Sequence, residues 1–354
     1  MSPSPLSQYD PRPSAAGVSP YSGAVEHPHR TLRLSLRLGF VAAALTCVEP
    51  ADVAAAPSLT NVGEVETIAT FDPSLGDTPE SLVIGSDGDI FVSMALSGEI
   101  VRIDSQGEQS THAILPIGAP FDPTTFSGIM GAMVMDRYDD IYVSVSASDP
   151  AARGVWVVHP DCQTELVGQL PVTAVPNGIT KRGRTVYVAD SAPEGKVWAV
   201  PLDGGEPYVW AEHPVLDSDP QVPFPGPNGV QIFRKELYVS NSNSAQIVAF
   251  PFPDGGEPRV VADVGCDDFA FDKHANLYCG TDPYNTVLRI SPEGEVETLL
   301  DASDGLDGPT AVMFGRYGVD RFGLYIANAA FPFFSSDPHP SLMRLQLDVR
   351  GARR

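Results

Sequence analysis

"PNGITKRGRTVYVAD" (176–190) and "PNGVQIFRKELYVSN" (227–241) carry the same opening and the same strand pair, fifty-one residues apart. Asn and Gly tolerate positive φ, so each PNG reads as a turn. Each turn runs into an apolar stretch, a tight polar turn, and a second stretch with a central tyrosine. Working outward from this pair gives six units: "ESLVIGSDGDIFVS" (80–93), "GAMVMDRYDDIYVS" (131–144), the stretches starting at 177 and 228, "DDFAFDKHANLYCG" (267–280) and "TAVMFGRYGVDRFGLYIAN" (310–328). Their starts are 51, 46, 51, 39 and 43 residues apart. A third strand follows in most ("EIVRI" 99–103, "GVWVVH" 154–159, "KVWAV" 196–200, "QIVAF" 246–250, "TVLRI" 286–290). A fourth opens on Gly-Glu at 107, 205, 256 and 294.

Four antiparallel strands recurring every 40–50 residues predict an all-β fold, a β-propeller of six blades. Closure supports this. "GEVETIATF" (63–71) reads as a fourth strand with no first three before it, and the last unit, ending in "SLMRLQLDV" (341–349), lacks its fourth. The N-terminal strand is therefore expected to complete the last blade and leave no open sheet edge. The propeller domain is assigned to residues 57–354.

Residues 1–56 differ in composition. A Pro/Ser-rich polar leader (1–23) reads as disordered. "HRTLRLSLR" (29–37), "LGFVAAALTCV" (38–48) and "ADVAAAPS" (51–58) then follow in the order of an export signal, so a secreted or periplasmic protein is expected. The apolar run is 11 residues, too short for an anchor, and no later segment is suited to a membrane.

With 22 basic and 45 acidic residues the formal charge is −23, which argues against a nucleic-acid partner and suits a cation. Of the four cysteines, Cys47 lies in the signal. Cys162, Cys266 and Cys279 match neither a zinc ribbon nor a redox pair; Cys266 and Cys279 bracket a hairpin whose pattern does not set them opposite each other, so all three read as buried small apolar residues, with a disulfide the less favoured alternative.

The first strand of a propeller blade lines the central channel, so the residues opening the units form a ring at one mouth: Glu80, Gly131, Asn177, Asn228, Asp267 and Thr310. The carboxylates and carboxamides among them are oxygen donors suited to a hard cation, Ca²⁺ before Mg²⁺ or Mn²⁺. Asp268 adds a carboxylate beside Asp267. The predicted metal ligands are Glu80, Asn177, Asn228 and Asp267.

The repeat, "TPESLVIG" (78–85), the two PNG stretches and "CDDFAFD" (266–272) resemble the calcium-dependent six-bladed propellers of the gluconolactonase, regucalcin and luciferin-regenerating enzyme family, and more distantly the paraoxonases. The resemblance implies a metal held by Glu80, Asn228 and Asp267, with Asn177 contacting substrate or water. Asp268 stands where the gluconolactonase type carries Gly, and no residue matches the Arg that sugar-lactone enzymes set near substrate.

A cation at this mouth would polarise a lactone or ester carbonyl, and Asp267 or Asp268 would be the base for water attack. The expected enzyme is a monomeric hydrolase of a small-molecule lactone or ester. Asp190, Asn241, Asp282 and Asn328 fall at ends of second strands, on the same mouth, where Asp190 and Asn241 are candidate substrate contacts. Phe331, Phe333 and Phe334 suit either an apolar lid, Phe333 then touching substrate, or packing under a loop. The competing readings are a non-catalytic binding propeller with structural calcium, and a strictosidine-synthase-like propeller.

Overall fold

The inner and second strands of the repeats read as near-continuous apolar runs, and the structure explains this by covering both faces of every sheet. Ile90–Met94, Ile141–Ser146 and Gly323–Asn328 are buried at every position. Outermost strands such as Gln109–Ile114 are largely exposed. The computed structural model describes residues 63–222 and 224–353; the export-signal pattern at 30–56 lies outside them. Six four-stranded antiparallel sheets form the six blades of a β-propeller. The inner strands, in chain order, are Pro79–Ile84, Ile129–Met135, Pro176–Arg182, Pro227–Phe233, Phe269–Phe271 and Pro309–Phe314.

Hydrophobic clusters fill the spaces between neighbouring blades. Tyr187, Ala189 and Val197 of the third blade, for example, pack on Val230, Leu237 and Val239 of the fourth. Closure is as expected: Val65–Thr70 pairs with Ser341–Gln346, from Val65 opposite Leu345 to Thr70 opposite Ser341. The fourth strand of the second blade, Thr164–Gln169, was not foreseen. Its turn lacks Gly-Glu, and Cys162 takes the positive φ (69°) instead. No helix among the described residues is long and apolar enough to cross a membrane.

Three cysteines depart from the favoured sequence reading. Cys266 and Cys279 form a disulfide, with Cα atoms 5.8 Å apart. The hairpin pattern did not set them opposite each other, and by register Cys279 pairs with Phe269. The chain at Asp267-Asp268 is irregular enough to bring Cys266 alongside. Cys162 is exposed rather than buried.

Candidate active site

The ring exists because each inner strand breaks register near its start. Pairing slips between Pro79 and Ser81, Met130 and Met133, Pro176 and Ile179, Pro227 and Val230, and Pro309 and Ala311. The residues left out of the ladder include Glu80, Gly131, Asn177, Asn228 and Thr310. A β-bulge re-aims the side chain it leaves unpaired; here the same device recurs in five blades. In the fifth blade Asp267 and Asp268 precede the regular strand and bond to Gly280, Asp267 N to Gly280 O at 2.9 Å and Gly280 N to Asp268 O at 3.2 Å.

The PNG glycines serve a different purpose from the one read in the sequence. Neither Gly178 nor Gly229 has positive φ, and both lie within strands. They are small because adjacent inner strands nearly touch. A Cβ on Gly229 would meet Asp267 O and an Asp268 carboxylate oxygen at 2.5 Å, and one on Gly178 would overlap Asn228 O. A Cβ on Gly131 would meet Asn177 O at 3.0 Å.

Hydroxyls stitch the ring together. Ser240 Oγ donates to Asp267 O (2.6 Å), Ser93 Oγ to Gly131 O (3.3 Å), Thr310 Oγ1 to Pro79 O (3.1 Å), and Ser144 Oγ to Asn177 O. The two amides are oriented identically. Asn177 Nδ2 donates to Ser191 Oγ (3.2 Å) and Asn228 Nδ2 to Ser242 Oγ (3.1 Å). Each nitrogen keeps a second N–H, which in Asn228 bonds to the Asp267 carboxyl, and each carbonyl oxygen can accept elsewhere. The sequence held no signal for Ser191 and Ser242 beyond their matching offset of fourteen residues from each Asn.

Asp267 is 9% exposed and Asn228 4%. Burial, then the charges of Asp268 and Asp282, push the Glu80 carboxyl well above the usual range. Asp267 is raised by burial and by Glu80, Asp268 and Asp282, with the Asn228 amide opposing. Burial lifts Asp268 to about 7, and burial with the Asp307 charge lifts Asp282 to about 7. No Lys or Arg among the described residues relieves these four carboxyls. Glu80 Oε2 and Asp282 Oδ1 are buried without a hydrogen-bond partner. Asp282 thus stands closer to the site than its position after a strand had suggested.

The same structure gathers no three Asp, Glu, His or Cys side chains, among the described residues, tightly enough to hold a metal together. The oxygen set the ring offers is two carboxylates, Glu80 and Asp267, with two amides. That set fits a hard cation by donor chemistry, and the unpartnered Glu80 oxygen supports the fit.

The other sequence candidates are placed differently. Asp190 is 2% exposed and accepts from Val175 N (2.7 Å), Ala192 N (3.1 Å) and Trp198 Nε1 (2.7 Å). Asn241 is fully buried and donates to Val215 O (3.2 Å) and Asp217 O (3.3 Å). Both side chains bond to neighbouring parts of the fold. Phe333 is 50% exposed at the ring mouth, whereas Phe331 is buried against Ala95 and Ala329. Packing under the loop thus describes Phe331, while Phe333 stands free of it.

A cavity of about 1120 Å³ occupies the channel. Asp268 lines it at the ring end, and Arg137, Arg184 and Arg316 line it at the hairpin turns of the opposite mouth. The ring mouth itself is where the long loops gather.

No model of a known protein family matches the chain, and no curated protein matches it. Solved structures do. A gluconolactonase from Xanthomonas campestris aligns at 15% identity over 80% of this chain and 89% of its own, with a TM-score of 0.60. Regucalcin from Agrobacterium tumefaciens, a calcium-binding protein, aligns at 14% over 78% and 92%, TM-score 0.60. A luciferin-regenerating enzyme aligns at 12% over 82% and 97%, TM-score 0.60. What the chain shares with gluconolactonase, regucalcin and luciferin-regenerating enzyme at these identities is the six-bladed propeller fold.

Proposed function

We propose that this propeller hydrolyses lactones or related esters with a divalent cation, calcium before magnesium or manganese, held by Glu80, Asn177, Asn228 and Asp267. One observation carries the reading. Glu80, Asp267, Asp268 and Asp282 stand within range of one another's charge, Asp267 buried and the other three half-buried, with no basic side chain among the described residues to balance them, and Glu80 Oε2 has no partner. Buried carboxylates persist when a cation or a proton offsets them. The fold shared with a gluconolactonase and a calcium-binding regucalcin supports the same reading.

Bound at the ring, the cation would supply Lewis-acid polarisation of the substrate carbonyl and stabilise the oxyanion. The chain's own residues do the rest. Asp268 lines the channel cavity with a carboxyl near 7, which suits proton transfer at neutral pH, and is assigned as base with Asp267 as ligand. Asn177, held by Ser191, is assigned to contact the substrate or its water through its amide. We further infer export, from the signal pattern at residues 30–56.

The second reading is a non-catalytic binding propeller braced by structural calcium at the same ring. Elemental analysis of the purified protein, then a lactone and ester panel with and without EGTA, separates the two. Turnover abolished by EGTA and restored by Ca²⁺ supports the hydrolase; loss of stability with no turnover of any substrate supports the brace. Asp267→Ala is expected to lose the metal and Asp268→Ala to lose turnover while retaining it.

A further inference from the structure

Aromatic rings from loops far apart in sequence meet at the ring mouth. Phe121 and Phe126 lie before the inner strand of the second blade, Phe224 before that of the fourth, Tyr284 in the fifth blade and Phe331, Phe333 and Phe334 in the sixth. Phe333 stacks on Phe121 at 5.6 Å and on Phe331 at 4.8 Å, and meets Phe334 edge-on at 4.9 Å. Phe334 approaches Phe224 at 6.5 Å, and Phe224 approaches Tyr284 at 6.1 Å. Rings based on alternate blades come into contact only if their loops lean across the mouth. They form a crown over the ring of oxygen donors.

The crown is left open to solvent. Phe333, Phe334 and Tyr284 are 50%, 49% and 62% exposed. Several of the loops' polar side chains, by contrast, are taken up internally. Asn243 Nδ2 donates to Asp219 O, Val222 O and Phe224 O at 3.0–3.2 Å. Asp122 accepts from Thr124 N (2.9 Å) and Thr125 Oγ1 (3.0 Å). Asp307 Oδ2 accepts from Ser335 Oγ (3.1 Å) and His339 N (2.9 Å), tying the Phe-rich loop beside Asp282, whose pKa the Asp307 charge helps to raise. An alkyl or aryl group would find adjoining aromatic faces.

We propose that the crown is the subsite for the apolar part of the substrate, so that the enzyme prefers lactones or esters with an alkyl or aryl body over sugar lactones. This rests on the hydrolase reading above. The test is a homologous series from γ-butyrolactone to γ-decalactone, with glucono-1,5-lactone alongside, assayed in Ca²⁺. Efficiency should rise roughly two- to fourfold per added methylene, chiefly through KM. Phe333→Ser with Phe334→Ser should cut the ratio of γ-decalactone to γ-butyrolactone efficiency by roughly ten- to a hundredfold, and Phe333→Trp should preserve it. A preference for glucono-1,5-lactone, or a chain-length slope that survives the double substitution, overturns the subsite and leaves the hydrolase standing.

If no lactone is turned over, the hydrolase reading fails and the crown is read by calorimetry with γ-decalactone as a ligand. Binding lost in the double variant supports it, and no binding to the wild-type protein overturns it. Concentration-dependent dimerisation abolished by the same substitutions, without any chain-length effect, also overturns it in favour of a second copy as the occupant.

Discussion

Removing divalent cations should give this protein a pH dependence opposite to that of ordinary carboxylates. Asp268 and Asp282 stand near 7 in the fold against 3.8 unfolded. A raised folded pKa means that the native state binds protons more tightly than the unfolded chain. That contribution is complete below pH 3.8 and is lost as pH rises through 7. The shift of roughly three units corresponds to about 4 kcal/mol for each group at most. Relaxation and coupling reduce this, and we expect about 3 kcal/mol in total to be lost between pH 5 and 8 in EGTA. For a domain of this size that is a fall of about 6 °C in Tm. Under the proposed function Ca²⁺ takes the deprotonated carboxylates, so the stabilisation it brings should grow over the same interval. Scanning fluorimetry at several pH values, with EGTA or with Ca²⁺, reads both trends. A Tm in EGTA that is flat or rising from pH 5 to 8, or a Ca²⁺ shift independent of pH, refutes the reasoning.

Three further outcomes are expected. Replacing Cys266 and Cys279 by Ala removes a cross-link closing a short loop, at about 3 kcal/mol and about 5 °C of Tm, checked against the oxidised wild type. Gly229→Ala places a methyl against Asp267 O and Asp268, and should weaken Ca²⁺ binding in calorimetry at least roughly tenfold, well beyond what an exposed Gly→Ala change does. Arg153 is 5% exposed and donates to Ala147 O (2.8 Å) and Ala174 O; Arg153→Met should lower stability by roughly 2–4 kcal/mol in a urea titration, since it leaves both carbonyls unsatisfied.

The fold was legible because its signal is local and repeated: a two-strand hairpin with an aromatic centre, six times over, with the missing and surplus strands at the two ends. The ring positions were legible for the same reason, since alignment alone puts Glu80, Asn177, Asn228 and Asp267 in one register. What aims them was not. A bulge is a relation between two strands, and the residues that skip pairing look like any others in one dimension. So PNG was read as a turn needing positive φ, whereas Gly178 and Gly229 answer to the next blade's backbone. The Cys266–Cys279 disulfide is not the reading the hairpin pattern favours, because an irregular Asp267-Asp268 stretch alters their offset. The crown is a matter of loops meeting across the mouth, and no periodicity reports that. Strand ends such as Asp190 and Asn241 carry the residue types of a pocket, yet their hydrogen bonds hold the blade together.

The sheet shared between Val65–Thr70 and Ser341–Gln346 also governs how the chain reaches its native form. Val65 must wait for Leu345, some 280 positions downstream, before the circle is sealed. During synthesis the early blades emerge with an unmatched flank, and the strand that will later fasten them has already left the ribosome without a mate. Folding is thus committed at its final step, and a nascent chain cut short before residue 341 holds the key with no lock.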